Sequence, residues 1–179
     1  MCIRDRVNTV LEIGTGTAQH AVHFAKALTK VTWQTSDQLS YHQGIHAQLE
    51  DAALKNVVAP LVLDVNQEFW SNEGLQYSAV FTANTLHIMG WESVKAFFSG
   101  LPSVTNDKAF LIIYGPFKYK GKFTSESNQA FDQTLRESDW GDAIRDFDDI
   151  EVLANKVGFY LLEDVKMPAN NQCLIFQKK

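Results

Sequence analysis

The distribution of apolar and polar residues along the chain predicts strands and helices in near-regular alternation. Short runs rich in β-branched and aromatic residues indicate strands, and segments with apolar residues three or four positions apart indicate amphipathic helices. The predicted strands are Val7–Ile13, Val31–Ser36, Leu61–Val65, Ser78–Ala83, Ala109–Tyr114, Phe159–Lys166 and Cys173–Gln177. The predicted helices are Thr17–Leu28, Gly44–Lys55, Trp91–Gly100, Ser125–Glu137 and Asp148–Val157. The predicted apolar side of Ser125–Glu137 consists of Ala130, Phe131 and Leu135. Ser125 and Asp148 are the expected N-terminal caps of the last two helices, and Gly158 is the expected stop of the last one.

The order of these elements predicts an α/β fold. Repeated βα units give a parallel sheet with helices on both faces. The link Met167–Gln172 is too short for a helical crossover, so the last two strands are expected to be antiparallel neighbours. We therefore expect a mostly parallel seven-stranded sheet with a late antiparallel strand.

Length and composition fit one globular domain. The chain has 179 residues, of which 45% are hydrophobic and 21% are charged, and these values are ordinary for a domain with a single core. Residues 1–6 lead almost directly into a strand that is expected to be buried. We interpret them as a non-native leader in place of a longer N-terminal segment, and residues 7–179 as one domain.

Charge and cysteine content exclude several classes of function. The net charge is −5, and the densest basic group, Lys118, Lys120 and Lys122, is too small to bind duplex nucleic acid. No apolar run approaches the length of a membrane span, and no signal peptide precedes the domain. Cys2 and Cys173 have neither a disulfide framework nor a metal spacing, which favours a cytoplasmic location.

The loop between the first strand and the first helix has the composition of a cofactor site. Its glycines allow a tight turn and a close approach of a ligand to the backbone, and the N–H groups of the following helix favour an anionic group. A dinucleotide fingerprint would have glycine or alanine at position 19, where this chain has Gln19. A carboxylate before the turn would repel a diphosphate but suits the sulfonium and ammonium of S-adenosylmethionine (SAM). The predicted SAM-binding residues of this loop are Glu12, Gly14, Thr15 and Gly16.

Polar residues at the ends of three further strands complete this predicted site. Asp37 follows the second strand and would accept hydrogen bonds from ribose hydroxyls. Asp64 would accept from the adenine amino group, and Val65 would pack on the adenine ring. Asn84 follows the fourth strand and would close the pocket near the methionine group. Each acid alone is compatible with a cap or a solvated turn; their recurrence at one sheet edge favours a ligand site.

The chain resembles a family of small methyltransferase-like proteins of unknown function. The motifs that carry the resemblance are Val10–Gly16, Gln19–Ala21, Trp33–Asp37, Ala83–Ile88, Tyr114–Phe117, Phe123–Asn128, Phe131–Asp132, Trp140–Gly141, Ile144–Asp146 and Met167–Asn171. The resemblance covers nearly the whole chain from Val7 and implies the Rossmann-like fold of class I methyltransferases, SAM binding and an additional N-terminal segment. It implies no substrate. The chain departs from the family at Thr35, where proline is usual, and from the glycine motif at Ala18.

Candidate chemistry lies around the later motifs. His87, after the fourth strand, is the candidate general base, and Tyr114, at the end of the fifth, is a candidate for orienting a substrate. The candidate substrate-binding residues are Asn128, Arg145, Asn170 and Asn171. Each also has a structural interpretation: a histidine after a strand, a turn-forming asparagine pair, or an ion pair between Arg145 and Asp146. His42 and His46 lack further ligands, so we expect them to be solvated and predict no metal site.

Three functions are compatible with these observations. The leading hypothesis is a SAM-dependent methyltransferase that acts on a small-molecule acceptor. The alternatives are a catalytically silent module that binds SAM or a protein partner, and an oxidoreductase with a nucleotide cofactor.

Overall fold

The computed structural model describes residues 7–67, 70, 74–137 and 141–179, and the predicted leader at residues 1–6 lies outside them. The strands in the described residues are β1 (Thr9–Ile13), β2 (Thr32–Asp37), β3 (Val57–Val62), β4 (Tyr77–Ala83), β5 (Thr105–Gly115), β6 (Phe117–Tyr119), β7 (Lys122–Phe123), β8 (Arg145–Asp146), β9 (Phe159–Met167) and β10 (Asn171–Lys178). The α-helices are α1 (Gln19–Ala27), α2 (His42–Ala52), α3 (Trp91–Val104), α4 (Glu126–Arg136) and α5 (Phe147–Lys156).

Seven of these strands form one sheet in the order β3-β2-β1-β4-β5-β10-β9. The neighbours from β3 to β5 are parallel, whereas β10 is antiparallel to both β5 and β9. The predicted mostly parallel sheet with a late antiparallel strand is therefore confirmed. Because β1, β2, β4 and β5 are parallel, their carboxyl ends meet at one edge, which is where open α/β sheets bind ligands.

Apolar side chains cover the two faces of the sheet in separate clusters. On one face, Phe97, Phe98 and Leu101 of α3 pack with Ile150 of α5 against the central strands. On the other face, small residues of α1 and Ile45 of α2 pack with Trp33, Phe81 and Phe110. This double covering holds the central strands rigid and presents their carboxyl ends as a fixed platform.

The position of β3 differs from the prediction of Leu61–Val65, because the strand is Val57–Val62. Pro60 lies inside it, and β3 is the outermost strand of the sheet, where a missing N–H donor is tolerated. Asp64 and Val65 consequently lie in the loop beyond the strand.

The ends of the last two helices test the predicted caps. Ser125 caps α4, since its hydroxyl accepts from Asn128 N at 3.1 Å, and Gly158 follows α5 with a φ of 87°; both predictions are confirmed. The predicted cap Asp148 is wrong: Asp146 caps α5 and accepts from the N–H of Asp148 at 3.1 Å.

A second, three-stranded sheet in the order β7-β6-β8 was not predicted. Its strands have only two or three residues, which is too few for an alternating pattern. This small sheet joins the segment after β5 to the segment before α5.

The prediction that His42 is solvated is also wrong. His42 is buried at the start of α2, and its Nε2 lies 3.0 Å from Asp37 O. His46, one turn later, is exposed as expected.

The side chain of Glu12 is almost completely buried between β1 and β2. Its Oε2 accepts from Trp33 Nε1 at 3.0 Å and from Thr15 Oγ1 at 3.3 Å, and the residue is 1% exposed. Burial raises the pKa of Glu12 from its ordinary value of 4.5 to about 7, although the hydrogen bonds from Trp33 and Thr15 oppose this shift.

The pKa of Glu12 predicts a specific pH dependence of stability. Between its unfolded and folded pKa values the folded chain binds more protons, so the free energy of unfolding falls as pH rises through this range. Glu12→Gln removes that loss and keeps an acceptor for Trp33. The free energy of unfolding of both chains is measured with urea. From about pH 5 to about pH 8, the difference between variant and wild type should shift in favour of the variant by roughly 2–3 kcal/mol. Glu50→Gln, an exposed position in α2, is the control, and a constant difference between Glu12→Gln and wild type would contradict the assignment.

Candidate functional site

The glycine loop after β1 is fixed to the end of β2 by hydrogen bonds. The N–H groups of Gly14 and Thr15 both donate to Ser36 O at 3.1 Å, and Ser36 N donates to Thr15 Oγ1 at 3.1 Å. Gly14 has a φ of 75°, and a Cβ there would lie 2.9 Å from side-chain atoms of Thr85. Glycine is therefore required at this position by conformation and by space.

The start of α1 presents N–H groups without a side-chain cap. Ala18 precedes the helix in a left-handed conformation with φ 59°, and the first turn contains no acidic residue. The uncapped N–H groups and the positive end of the helix dipole favour an anionic group of a ligand. The conformation of Ala18 also explains why glycine is usual at this position.

Asp37 lies at the end of β2 beside the loop, as predicted. Its Oδ2 accepts from Gly16 N at 2.7 Å, and its Oδ1 accepts from Gln38 N at 2.8 Å. A carboxylate oxygen accepts two hydrogen bonds, so each oxygen retains capacity for a hydroxyl donor. The side chain thus combines a loop contact with capacity for a ligand.

Asp64 and Val65, the predicted adenine contacts, both have contacts within the protein. Asp64 Oδ1 accepts from the backbone and side-chain nitrogens of Asn66 at 2.9 and 3.0 Å and forms a turn. Asp64 Oδ2 accepts no hydrogen bond from the described residues. Val65 is 8% exposed and packs in the core with Trp70, so its side chain already has apolar contacts.

His87 lies in a short 3₁₀ turn, Leu86–Ile88, that follows β4. Ala143 N donates to His87 O at 3.0 Å. Arg145 Nε donates to Leu86 O at 3.0 Å, and its Nη2 donates to the carbonyls of Met89 and Gly141. Arg145 therefore clamps the backbone on both sides of His87.

These contacts favour a structural role for Arg145 over the predicted substrate contact. The alternative ion pair with Asp146 is not formed, because no ion pair of Arg145 is found in the described residues. Asp146 instead caps α5 and accepts from Gly121 N at 2.5 Å.

The imidazole of His87 is kept neutral by its surroundings. Burial lowers the pKa of His87 from 6.5 to about 4; the charge of Arg145 lowers it further, and that of Asp142 opposes the shift. The ring is 7% exposed and meets the Phe131 ring edge-on, with centroids 5.4 Å apart. A neutral imidazole retains one nitrogen lone pair for accepting a hydrogen bond or a proton.

A cavity of about 340 Å³ opens beside His87 and is called the His87 cavity below. Four of the predicted site residues line it: Asn84, His87, Asn128 and Asn171. Tyr114, Arg145 and Asn170 do not. Tyr114 instead contacts a residue of the lining, since its hydroxyl accepts from Asn171 Nδ2 at 3.1 Å.

The asparagines connect α4 to the link between β9 and β10. Asn128 Nδ2 donates to Thr124 Oγ1 at 2.9 Å and to Asn170 O at 3.0 Å. Asn170 is exposed, has a φ of 59°, and donates to Ser127 Oγ at 3.0 Å. Its predicted alternative role as a turn former matches this geometry.

Four lining residues were not predicted: Pro116, Ser127, Phe131 and Ala169. Phe131 was assigned to the apolar side of its helix, but its side chain is 40% exposed. It lies three residues after Asn128, a spacing that places both on one helix face. That spacing was the available signal.

The described residues show neither a group of metal ligands nor a helix that could span a membrane. No group of three or more His, Cys, Asp or Glu side chains could hold a metal ion. None of the described helices has the length and apolar character needed to cross a bilayer.

Several solved methyltransferases have the same fold as this chain. An O-methyltransferase family protein from Burkholderia thailandensis matches with a TM-score of 0.86 at 13% identity, over 100% of this chain and 53% of that protein. Mitomycin 7-O-methyltransferase matches with a TM-score of 0.83 at 12% identity, over 97% of this chain and 49% of that protein.

A third match is an O-methyltransferase from neocarzinostatin biosynthesis, solved with SAM and 2-hydroxy-5-methyl naphthoic acid. Its TM-score is 0.80 at 10% identity, over 100% of this chain and 51% of that protein. The chain thus spans about half the length of these proteins. At these identities the likeness establishes the Rossmann-like methyltransferase fold. A family model also matches residues 2–178, and the chain therefore belongs to the family DUF938, described as a protein of unknown function.

Proposed function

We propose that this chain is a SAM-dependent methyltransferase whose acceptor is a small molecule. The observation that carries the proposal is that two sites share the loop after β4. Thr85 lies beside Gly14, where an added Cβ would come within 2.9 Å of its side chain, while Asn84 and His87 line the His87 cavity. A cofactor at the glycine loop and an acceptor in the cavity would meet at this loop.

The residues at the glycine loop fit the parts of SAM. The uncapped turn of α1 suits the carboxylate, Asp37 retains acceptor capacity for ribose hydroxyls, and Asp64 Oδ2 is available to the adenine amino group. When bound, SAM supplies a methyl group on a positively charged sulfur. Glu12 has a structural contact with Trp33, and its proposed attraction for the cofactor is secondary to that contact.

The residues of the His87 cavity would position the acceptor and take up its proton. Methyl transfer depends mainly on orientation of the reacting groups. His87 is held by backbone hydrogen bonds on both sides, so its ring has a fixed place in the wall. Its imidazole is unprotonated at any pH above its lowered pKa and has a lone pair for the proton, but the same shift makes it a weak base, so orientation of the acceptor would contribute more than proton removal.

Two alternatives share parts of this geometry. A helix N-terminus and an acid at the end of β2 also occur in dinucleotide sites, so an oxidoreductase is tested beside SAM. A silent SAM-binding or protein-interaction module differs from the proposal only in turnover. Each experiment below therefore separates binding from transfer.

Asp37→Ala tests the cofactor assignment. We expect S-adenosylhomocysteine to bind the wild-type chain in calorimetry and NAD not to bind. Loss of the Asp37 carboxylate should weaken binding by about 1–3 kcal/mol, the scale of a charge-assisted hydrogen bond. Asp51→Ala removes an exposed acid from α2 and should leave the affinity unchanged.

Two results would refute this assignment. Unchanged affinity in Asp37→Ala would remove the residue from the ribose site, and tight NAD binding without S-adenosylhomocysteine would favour the oxidoreductase. Because Asp37 also bonds to Gly16 N, Asp37→Asn is the second variant. It retains an acceptor for the loop but should still bind more weakly.

Turnover is tested by incubating the chain with methyl-labelled SAM and a metabolite extract. We expect label to appear in a small molecule, and less of it with His87→Gln while S-adenosylhomocysteine binding is preserved. Binding without any label transfer would support the silent module.

The protonation state of His87 gives a separate prediction. Because burial and Arg145 lower its pKa to about 4, the ring should stay neutral from pH 8 down to about pH 5. An NMR titration, with the signal assigned by its loss in His87→Gln, measures this directly. A midpoint near 6.5 would contradict the burial of the ring.

A further inference from the structure

The His87 cavity has a lining without formal charge. Its side chains are three amides, a hydroxyl, a neutral imidazole and apolar groups, and no Lys, Arg, Asp or Glu of the described residues is among them. Transfer of a charged group into such a place is costly without a paired counter-charge. The cavity therefore favours a ligand without charge.

Two charged side chains near the turn that carries His87, Arg145 and Asp132, already have partners. Arg145 donates through Nε and Nη2 to backbone carbonyls, so those donors are not available to an anion. Asp132 accepts from Arg136 Nε at 2.6 Å and from Ile144 N at 2.7 Å. These contacts give Arg145 and Asp132 structural roles. Asp142, whose Oδ1 is buried without a hydrogen-bond partner among the described residues, is not a lining residue of the cavity.

The amides on the inner wall have used their donors. Asn128 Nδ2 donates to Thr124 and Asn170, and Asn171 Nδ2 donates to Tyr114 Oη at 3.1 Å and to Pro168 O at 3.4 Å. Neither Oδ1 accepts a hydrogen bond from the described residues. An amide has two donor hydrogens, so this wall offers acceptors and calls for a ligand that donates. Asn84, on the exposed rim, retains both functions.

One wall of the cavity is an aromatic ring. Phe131 is 40% exposed, and its ring is held against His87 at a centroid distance of 5.4 Å. An aromatic ring on a cavity wall gains most from a second flat ring, through apolar burial and ring contact. The lining thus combines a flat apolar surface with hydrogen-bond acceptors.

We propose that the His87 cavity binds an uncharged aromatic compound with a hydroxyl group, its ring against Phe131 and its hydroxyl donated to Asn128 or Asn171. The inference rests on the proposed function only in making this hydroxyl the methyl acceptor. In that reaction the hydroxyl oxygen gains the methyl carbon, and the S–CH₃ bond breaks with its electron pair kept by sulfur. For transfer the hydroxyl would turn from the asparagine oxygen to His87, which would take its proton and pass it to water.

The test compares four ring compounds that differ in charge and in donor capacity. Phenol, anisole, benzoate and benzylammonium are titrated at millimolar concentration into the isotope-labelled chain, with and without S-adenosylhomocysteine. Chemical shifts of residues around the cavity report the site. We expect phenol to bind at least about fivefold more tightly than the other three, the effect of one net hydrogen bond. Phe131→Ala should weaken phenol binding by a similar factor, whereas Val152→Ala, at an exposed position of α5, should not.

Three outcomes would overturn the inference. Benzoate or benzylammonium binding as tightly as phenol would show that charge is accepted, and equal binding of anisole would show that no donor is needed. Absence of phenol binding at the cavity residues would also refute it. Phenol binding without S-adenosylhomocysteine binding would retain this inference and reject the cofactor assignment. Binding of S-adenosylhomocysteine without phenol binding would retain the cofactor assignment and reject this inference.

Discussion

The buried side chain of Glu12 is the contact on which the glycine-loop end of the molecule depends. One oxygen of this carboxyl links Trp33 of β2 to Thr15 of the loop, and Thr15 in turn accepts from Ser36 N. These hydrogen bonds fix the position of the loop relative to the end of β2. In this arrangement Gly16 N donates to Asp37 Oδ2 at 2.7 Å. Burial of a carboxyl is costly, and these hydrogen bonds offset part of that cost.

The His87 cavity is assembled from segments that are distant in sequence. Arg145 and Ala143 hold the turn that carries His87, and Asn128 of α4 bonds to Asn170 in the link between β9 and β10. A cavity built in this way has no local sequence pattern of its own. Its geometry depends on the small sheet β7-β6-β8, which brings Arg145 beside the turn after β4.

Sequence reasoning reached the elements and the sheet edge because both follow from local rules. Apolar periodicity gives the strands, and parallel strands bring Gly14, Asp37 and Asn84 to one edge wherever their side chains point. Side-chain direction is a tertiary property, and this is where the predictions became incomplete. The carboxyl of Glu12 was expected to face a ligand but contacts Trp33, and Arg145 contacts backbone carbonyls. Phe131 was assigned to the apolar side of its helix from residue type and spacing, which do not determine exposure, and it is 40% exposed.

Charge gives the two halves of the proposed site different roles. The glycine-loop half has acids, Asp37 and Asp64, near a helix N-terminus, whereas the lining of the His87 cavity is uncharged in the described residues. Under the proposed function, transfer would remove the positive charge from the sulfur and the donor hydrogen from the acceptor hydroxyl at the same moment. The methylated acceptor would lose the hydrogen bond to an asparagine oxygen that distinguished the free hydroxyl, whereas the contacts proposed for Asp37 and Asp64 involve ribose and adenine, which the cofactor product keeps. The reaction would thereby weaken the binding of the methylated acceptor and favour its release.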